Sequence, residues 1–191
     1  MALTQYFTAT SIDGFIADQD NSLEWLFQAD AGADREDRFG LFFGAVGAMA
    51  MGATTYEWVL EHDQLLANPQ KWREYYGSTP CWVFTHRQLP AVPGAALTFT
   101  SGDVVRVHAD MTRAASGRNV WLVGGGELVG EFADQGLLDE IHLGVAPVML
   151  GGGAPLLPRR LTALDLSLVS VRRDAQFASL TYQVRHPQAG S

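Results

Sequence analysis

The chain has 191 residues, 47% of them hydrophobic and 18% charged, which suits one domain or a closely joined pair with a sizeable core and argues against disorder. The formal net charge is −8, and the 13 basic residues are scattered along the chain. Binding a nucleic-acid backbone needs clustered Lys and Arg to displace counterions, so no nucleic-acid partner is expected.

Cys81 is the single cysteine, which excludes an intramolecular disulfide and a Cys-based metal site. The histidines His62, His86, His108, His142 and His186 show no ligand spacing with a neighbouring Asp, Glu or Cys, so no metal is expected. Residues 1–6 carry no basic residue and no long apolar core, unlike a signal peptide. The longest apolar stretch, residues 39–53, contains four glycines and is too short to span a bilayer. The expectation is a cytoplasmic protein with no membrane partner, one domain over residues 1–191.

Residues 3–9 read as a strand, and 10–18 continue partly extended around the turn dipeptide Asp13-Gly14. Residues 19–21 are polar and loop-like, and Leu23-Glu24-Trp25-Leu26-Phe27 sets bulky apolar groups beside them. Residues 34–46 read as a helix, because Phe39, Phe42, Phe43 and Val46 fall on one face; Gly47 ends it. Its first turn holds Asp34, Glu36 and Asp37, where the helix dipole favours acids. Residues 48–51 suit a buried strand. After Gly52, Thr54 and Glu57 are spaced as a capping box, which predicts a second helix from Thr54 to about Leu66.

Residues 81–84 form a compact apolar strand that runs into Thr85-His86-Arg87, and Pro90, Pro93 and Gly94 mark a loop. A short helix is predicted over 110–116, a strand over 120–123 and a helix over 127–133, with Gly124-Gly125-Gly126 between the last two. Residues 141–148 read as a strand, followed by a loop holding Gly151-Gly152-Gly153. Residues 166–171 and 177–184 suit a terminal antiparallel pair. Strands alternate with helices and then end as strand alone, which predicts an α/β chain: a mainly parallel sheet with an antiparallel C-terminal edge and flanking helices.

Three strand ends carry residues suited to a phosphate. At Gly124-Gly125-Gly126 the backbone can approach a ligand closely, and a helix start presents unpaired N–H groups. A plain tight turn has the same sequence. The ordinary Rossmann fingerprint fails here, since Val129 stands where its final glycine belongs and Ala146-Pro147 where the ribose-binding acid belongs. Gly52-Ala53-Thr54-Thr55 repeats the strand, glycine, helix pattern. At the third end, Arg87 can clamp a phosphate and Thr85 can donate a hydroxyl. In an open α/β sheet, such strand ends line the ligand crevice.

Four motifs occur in order: Ser11-Ile12-Asp13-Gly14-Phe15-Ile16-Ala17, Met51-Gly52-x-Thr54-Thr55-Tyr56-Glu57, Val123-Gly124-Gly125-Gly126-Glu127-Leu128, and residues 145–156 around Gly151-Gly152-Gly153. On these the chain resembles the dihydrofolate reductase-like family that includes the reductase domain of the bifunctional riboflavin-biosynthesis deaminase/reductase, as a stand-alone relative. The resemblance implies a three-layer fold with a twisted mixed sheet, NADPH across the strand ends, and a homodimer. It places Ile16 and Ala17 against the nicotinamide, and Gly52, Thr54 and Thr55 around the pyrophosphate. Thr85, His86 and Arg87 would receive the adenosine ribose and its 2′-phosphate, while Gly125, Gly126, Glu127 and Leu128 complete the phosphate wall. Ala53 departs from the pattern, since many relatives have a basic residue there.

The resemblance also implies hydride transfer to a small pterin-like or ribosylaminopyrimidine-like heterocycle. Trp25 resembles the tryptophan that floors the dihydrofolate reductase substrate pocket, and Ala9, Phe39 and Val123 join it as substrate-side candidates. For the substrate-facing acid, Glu36 can share the inward face of Phe39 and Phe43, whereas Asp37 is rotated off it by about 100°. Asp13 is the second catalytic candidate, although an Asp before Gly14 also stabilises a turn. A non-catalytic nucleotide-binding or structural relative of the same fold is the alternative reading.

Overall fold

The computed structural model describes residues 2–29 and 33–186, with the side chains of 33–38 outside the described set. In chain order the elements are β1 (Thr4–Thr10), β2 (Phe15–Ala17), α1 (Glu24–Phe27), α2 (Ala33–Gly44), β3 (Val46–Gly52), α3 (Ala53–His62), α4 (Gln70–Tyr76) and β4 (Cys81–Phe84). They continue with β5 (Leu97–Thr100), α5 (Val104–Ala115), β6 (Asn119–Gly124), α6 (Gly126–Asp134), β7 (Glu140–Val145), β8 (Ala154–Pro155), β9 (Leu166–Asp174) and β10 (Phe177–Val184).

Eight strands form one sheet in the order β5-β4-β3-β6-β1-β7-β10-β9. The strands from β5 to β7 are parallel, and β10 and β9 add the antiparallel edge. The α/β class with its mainly parallel sheet, antiparallel edge and flanking helices is thus the observed architecture. A second, two-stranded sheet pairs β2 with β8.

Both faces of the central strands are covered, which explains the continuous apolar run of β3. Its small residues Ala48 and Ala50 face α5 and α6, together with Leu122, Met111, Val129 and Phe132. Its large residues Met49 and Met51 face α3 and α4, together with Tyr56, Val59, Trp72 and Trp121. The aromatic stripe of α2 packs on this second face, where Phe42 stacks on Phe7 at 4.4 Å and meets Trp121 edge-on at 5.8 Å.

Several boundaries differ from expectation for identifiable reasons. Val46 belongs to β3, because its register with Asn119 on β6 starts the strand there, and Gly47 lies inside that strand. The capping box does not form: α3 starts at Ala53 with Gly52 as its N-cap and no side-chain cap bond, and Glu57 turns to Arg87 instead. That helix ends at His62, before Leu66. Helix α5 begins at Val104, where the Asp103 carboxylate accepts from the Val105 N–H at 3.1 Å. Helix α4 and strand β5 lie in segments where no element was predicted.

The wall made by β2 and β8 is held by polar contacts. The Ser11 hydroxyl donates to Asp13 at 2.6 Å, and the same carboxylate accepts from the backbone N–H of Leu150 at 3.1 Å and of Gly151 at 2.7 Å. These bonds hold the Asp13 carboxyl at about 2, below its ordinary 3.8, with the Ser11 hydroxyl the largest cause. Asp13, the second catalytic candidate, is thus placed as a clasp that joins two loops. An ionised carboxylate with its oxygens committed to three donors is a poor proton source at neutral pH.

Two consequences are measurable. A Cβ on Gly47 would sit 2.5 Å from the Ala115 carbonyl oxygen and 2.8 Å from its Cα. Gly47→Ala should therefore cost about 1–3 kcal/mol through overpacking, read as a lower urea midpoint; an unchanged midpoint would contradict the packing described. Because the folded Asp13 value is depressed, its stabilisation is present above about 3.8 and is lost as pH falls toward 2. The stability gap between the native chain and Asp13→Asn should hold steady near neutrality and close over that acid range; a gap independent of pH would dismiss the clasp.

Candidate active site

The central crevice follows from chain topology. β3 and β6 are adjacent and parallel, so their carboxyl ends lie side by side. The helix after β3 buries Tyr56, Val59 and Leu60 on one face of the sheet, and the helix after β6 buries Leu128, Val129 and Phe132 on the other. Where consecutive connections leave to opposite faces, a gap opens beyond the strand ends, and this is the usual ligand position in open α/β sheets.

A cavity of about 310 Å³ occupies this gap. Its lining brings together Ile16, Ala17, Thr54, Thr55, Val123, Gly124, Gly125, Gly126 and Glu127, nine residues singled out in the sequence. Gly52 and Leu128 lie at the same helix starts but line a neighbouring pocket of about 240 Å³, together with Thr85, His86, Ser101 and Glu131. The three strand ends therefore converge on two adjoining hollows.

The two helices that start here are uncapped. Gly52 and Gly125 are the N-caps of α3 and α6, and neither has a side chain to satisfy the first-turn N–H groups, unlike Asp103 at the start of α5. Uncapped helix starts leave donors and positive dipole ends for an anion. The Gly124–Gly125 peptide is cis. A Cβ on Gly125 would meet nothing within 4 Å, so the glycine turn leaves the crevice open, whereas one on Gly126 would run into the Pro155 and Leu156 carbonyl oxygens. Thus β8 packs directly on the start of α6.

Other expected residues lie elsewhere. Trp25 does not floor the cavity; it is buried with Ala146 and Phe177, where apolar packing holds it. Phe39 belongs to the aromatic cluster with Phe7, Phe43 and Trp121 and is not among the cavity-lining residues. Ala9 pairs in register with Gly144, and the hollow lined by Gly144 and His142, about 290 Å³, shares Thr8 with the central cavity. The side chain of Glu36 lies outside the described residues. Arg87 is not free: its guanidinium forks onto Glu57 at 2.9 and 2.8 Å, and its N–H bonds the Thr85 hydroxyl.

The lining also contains Thr8, Asn21, Leu23, Trp58, Ala154 and Pro155, none of which the sequence reading assigned to the site, although Ala154 and Pro155 lie in the fourth motif. A signal existed for Trp58, which stands one helical turn beyond Thr54 and Thr55 and so shares their face. Its ring stacks on His62 at 4.4 Å, and Phe27 stacks on His62 at 5.2 Å, which gives the crevice an aromatic rim. For Thr8, Ala154 and Pro155 the neighbourhood depends on pairing between distant segments. Among the described residues, no cluster of His, Cys, Asp and Glu suits a metal, and no helix is long and apolar enough to cross a membrane.

Known proteins resemble this chain in sequence or in fold. YwjB of Bacillus subtilis (strain 168), an uncharacterized protein, is 29% identical over 179 residues, covering 94% of this chain and 96% of YwjB. A provisionally named riboflavin biosynthesis protein from Shewanella sp. PV-4 has a crystal structure with a TM-score of 0.77 at 25% identity, covering 97% of this chain and all of that one. The Thermotoga maritima diaminohydroxyphosphoribosylaminopyrimidine deaminase/5-amino-6-(5-phosphoribosylamino)uracil reductase superposes at a TM-score of 0.63 with 16% identity, covering 96% of this chain and 57% of its own. That last likeness is one of fold. The match to the RibD C-terminal domain family extends over residues 3–178, and with its reductase-like fold the chain belongs to that family.

Proposed function

We propose that this chain is a pyridine-nucleotide-dependent reductase of a small heterocycle of the pterin or ribosylaminopyrimidine kind, working as a homodimer. The observation that carries the reading is the pair of uncapped helix starts, α3 and α6, that meet at an open glycine turn over a cavity of about 310 Å³. The uracil reductase activity in the name of the Thermotoga protein supports the substrate class. NADPH is the form that the family resemblance implies.

The residues present fit a dinucleotide. First-turn N–H groups of both helices, with the Thr54 and Thr55 hydroxyls, would hold a pyrophosphate. Ile16, Ala17 and Val123 offer an apolar wall for a planar ring and exclude water from it. When bound, a reduced nicotinamide supplies a hydride for an electrophilic carbon of the substrate. The protein's share is to orient the two rings face to face, which replaces a bimolecular encounter by a held geometry. Glu36 is the acid assigned to the substrate, as a source of the proton that follows the hydride.

Thr54→Asp separates folding from binding. A carboxylate in the first turn of α3 favours the helix dipole, so thermal stability should hold or rise. The same charge faces the pyrophosphate, so dinucleotide affinity should fall about tenfold or more, roughly 1.4 kcal/mol. The readout is quenching of the fluorescence of the five tryptophans during titration. If the native chain shows no saturable quenching, the proposal is wrong. If it binds nucleotide but oxidises none with any pterin or ribosylaminopyrimidine offered, the non-catalytic alternative stands.

A further inference from the structure

The hollow that shares Thr8 with the central cavity, about 290 Å³, is built by strand register. His142 on β7 stands between Phe7 and Thr181, and Gly144, two residues on, stands between Ala9 and Ser179. Ser170 and Arg172 of β9 continue those two rows. Residues paired in register, or two apart on one strand, share a face of the sheet, so these side chains converge on one space. Among the described residues that line it, His142 and Arg172 are the ionisable ones, and an arginine keeps its proton. Phe7 and Phe42 flank the imidazole, with ring centres 6.1 and 5.7 Å away.

A chain of hydrogen bonds fixes how His142 is held. The Leu3 N–H donates to the Asn119 side-chain carbonyl at 3.0 Å, so the Asn119 amide N–H turns to Gln5 and donates to its carbonyl at 3.0 Å. That leaves the Gln5 amide N–H to donate to the Glu140 carboxylate at 2.7 Å. A carboxylate only accepts, so the His142 Nε2, 2.9 Å from the same oxygen, carries the ring proton. The other ring nitrogen, Nδ1, lies 3.4 Å from the Thr181 hydroxyl, at the edge of bonding distance and on the side of the hollow. Held this way, a neutral imidazole offers Nδ1 as an acceptor, and a second proton makes Nδ1 a donor whose charge Glu140 stabilises.

We propose that this hollow is the substrate half of the site and that His142, held by Glu140, is the catalytic residue that protonates the substrate. The inference rests on the reductase reading above and gives the proton to His142 in place of Glu36. A ring held against Ile16, Ala17 and Val123 and a substrate in the hollow would meet across Thr8, which lines both spaces. The carbon of a substrate C=N or C=O bond accepts the hydride, and the π pair moves to the N or O. That atom takes the proton from Nδ1 of the doubly protonated imidazole. The substrate thus gains a hydride and a proton, with two-electron oxidation of the dinucleotide as the balancing half. His142 is left neutral with its Nε2 proton still on Glu140, and water returns a proton to Nδ1. Glu140, which reaches the reaction through the imidazole, is a positioning residue.

Two readouts on the full chain test it. In NMR spectra of protein carrying isotope-labelled histidine, with His142→Gln to assign the signal, neutral His142 should hold its proton on Nε2, and Glu140→Ala should mix the two tautomers. Mixed tautomers in the native chain overturn the arrangement. The second readout is oxidation of NADPH or NADH with dihydrofolate or 5-amino-6-(5-phosphoribosylamino)uracil as substrate. There His142→Gln should lower kcat about a hundredfold and leave KM in place, and added imidazole should restore part of the rate of His142→Ala. A loss carried by KM, or a His142→Ala rate that imidazole does not raise, overturns the proton role while the reductase reading survives. No oxidation by the native chain with either substrate overturns that reading and this inference with it.

Discussion

The site depends on one constraint, the divergence of α3 and α6 from neighbouring parallel strands. Parallel β3 and β6 deliver their chains to the same edge of the sheet, and the two apolar helix faces require opposite layers. A chain that satisfies both cores must leave a gap between the helix starts. The gap is therefore a by-product of burying Tyr56 and Val59 on one side and Val129 and Phe132 on the other. What is specific to this chain is how the gap is furnished. Glycines stand where caps are ordinarily found, so the donors at both helix starts stay available.

The outer wall is built by different means. Residues of β2 and β8 are only partly buried, and their position rests on backbone pairing, the Asp13 clasp and the bond from the Leu156 N–H to the Gly14 carbonyl at 2.9 Å. Such a wall has little apolar burial of its own, so its local stability falls below that of the sheet it leans on. Close approach is still required: a Cβ on Gly153 would collide with the Ala17 carbonyl oxygen. The glycines at 126 and 153 bring this wall against the rigid floor, and the crevice is narrow for that reason.

Much of the fold was legible in the sequence because it is a matter of periodicity and punctuation. The strand over 81–84 and the pair near the C-terminus were readable as apolar runs between breakers. Helix α5 was only half seen, although Val104, Val107, Met111 and Ala115 fall on one buried stripe; attention to Asp103 as a cap would have recovered its start. Helix α4 hides its one fully buried residue, Trp72, among polar neighbours. In the site, the residues nearest strand ends were legible, since Gly, Thr and helix starts share a local grammar. Partnerships between distant segments were not: nothing local says that Asp13 will spend its carboxylate on Leu150, that Glu57 will leave its cap position for Arg87, or that Trp25 will pack on Ala146 and Phe177.

Glu127 shows how those long-range partnerships set the electrostatics. A carboxylate in the first turn of α6 suits the helix dipole but sits at the mouth of the crevice, where it would oppose the anion proposed to bind there. Its charge is partly met by Arg159, whose guanidinium also reaches Asp134 at 2.7 Å. Glu127 and Asp134 lie seven positions apart on α6, and one guanidinium spans them because Gly130 stands between; a Cβ there would come within 2.7 Å of the Arg159 Cζ. The strap also ties the loop after β8 to the helix that starts the crevice. One cation thereby offsets the acid at the mouth and fixes the wall beside it, so the site's charge and its shape depend on the same side chain.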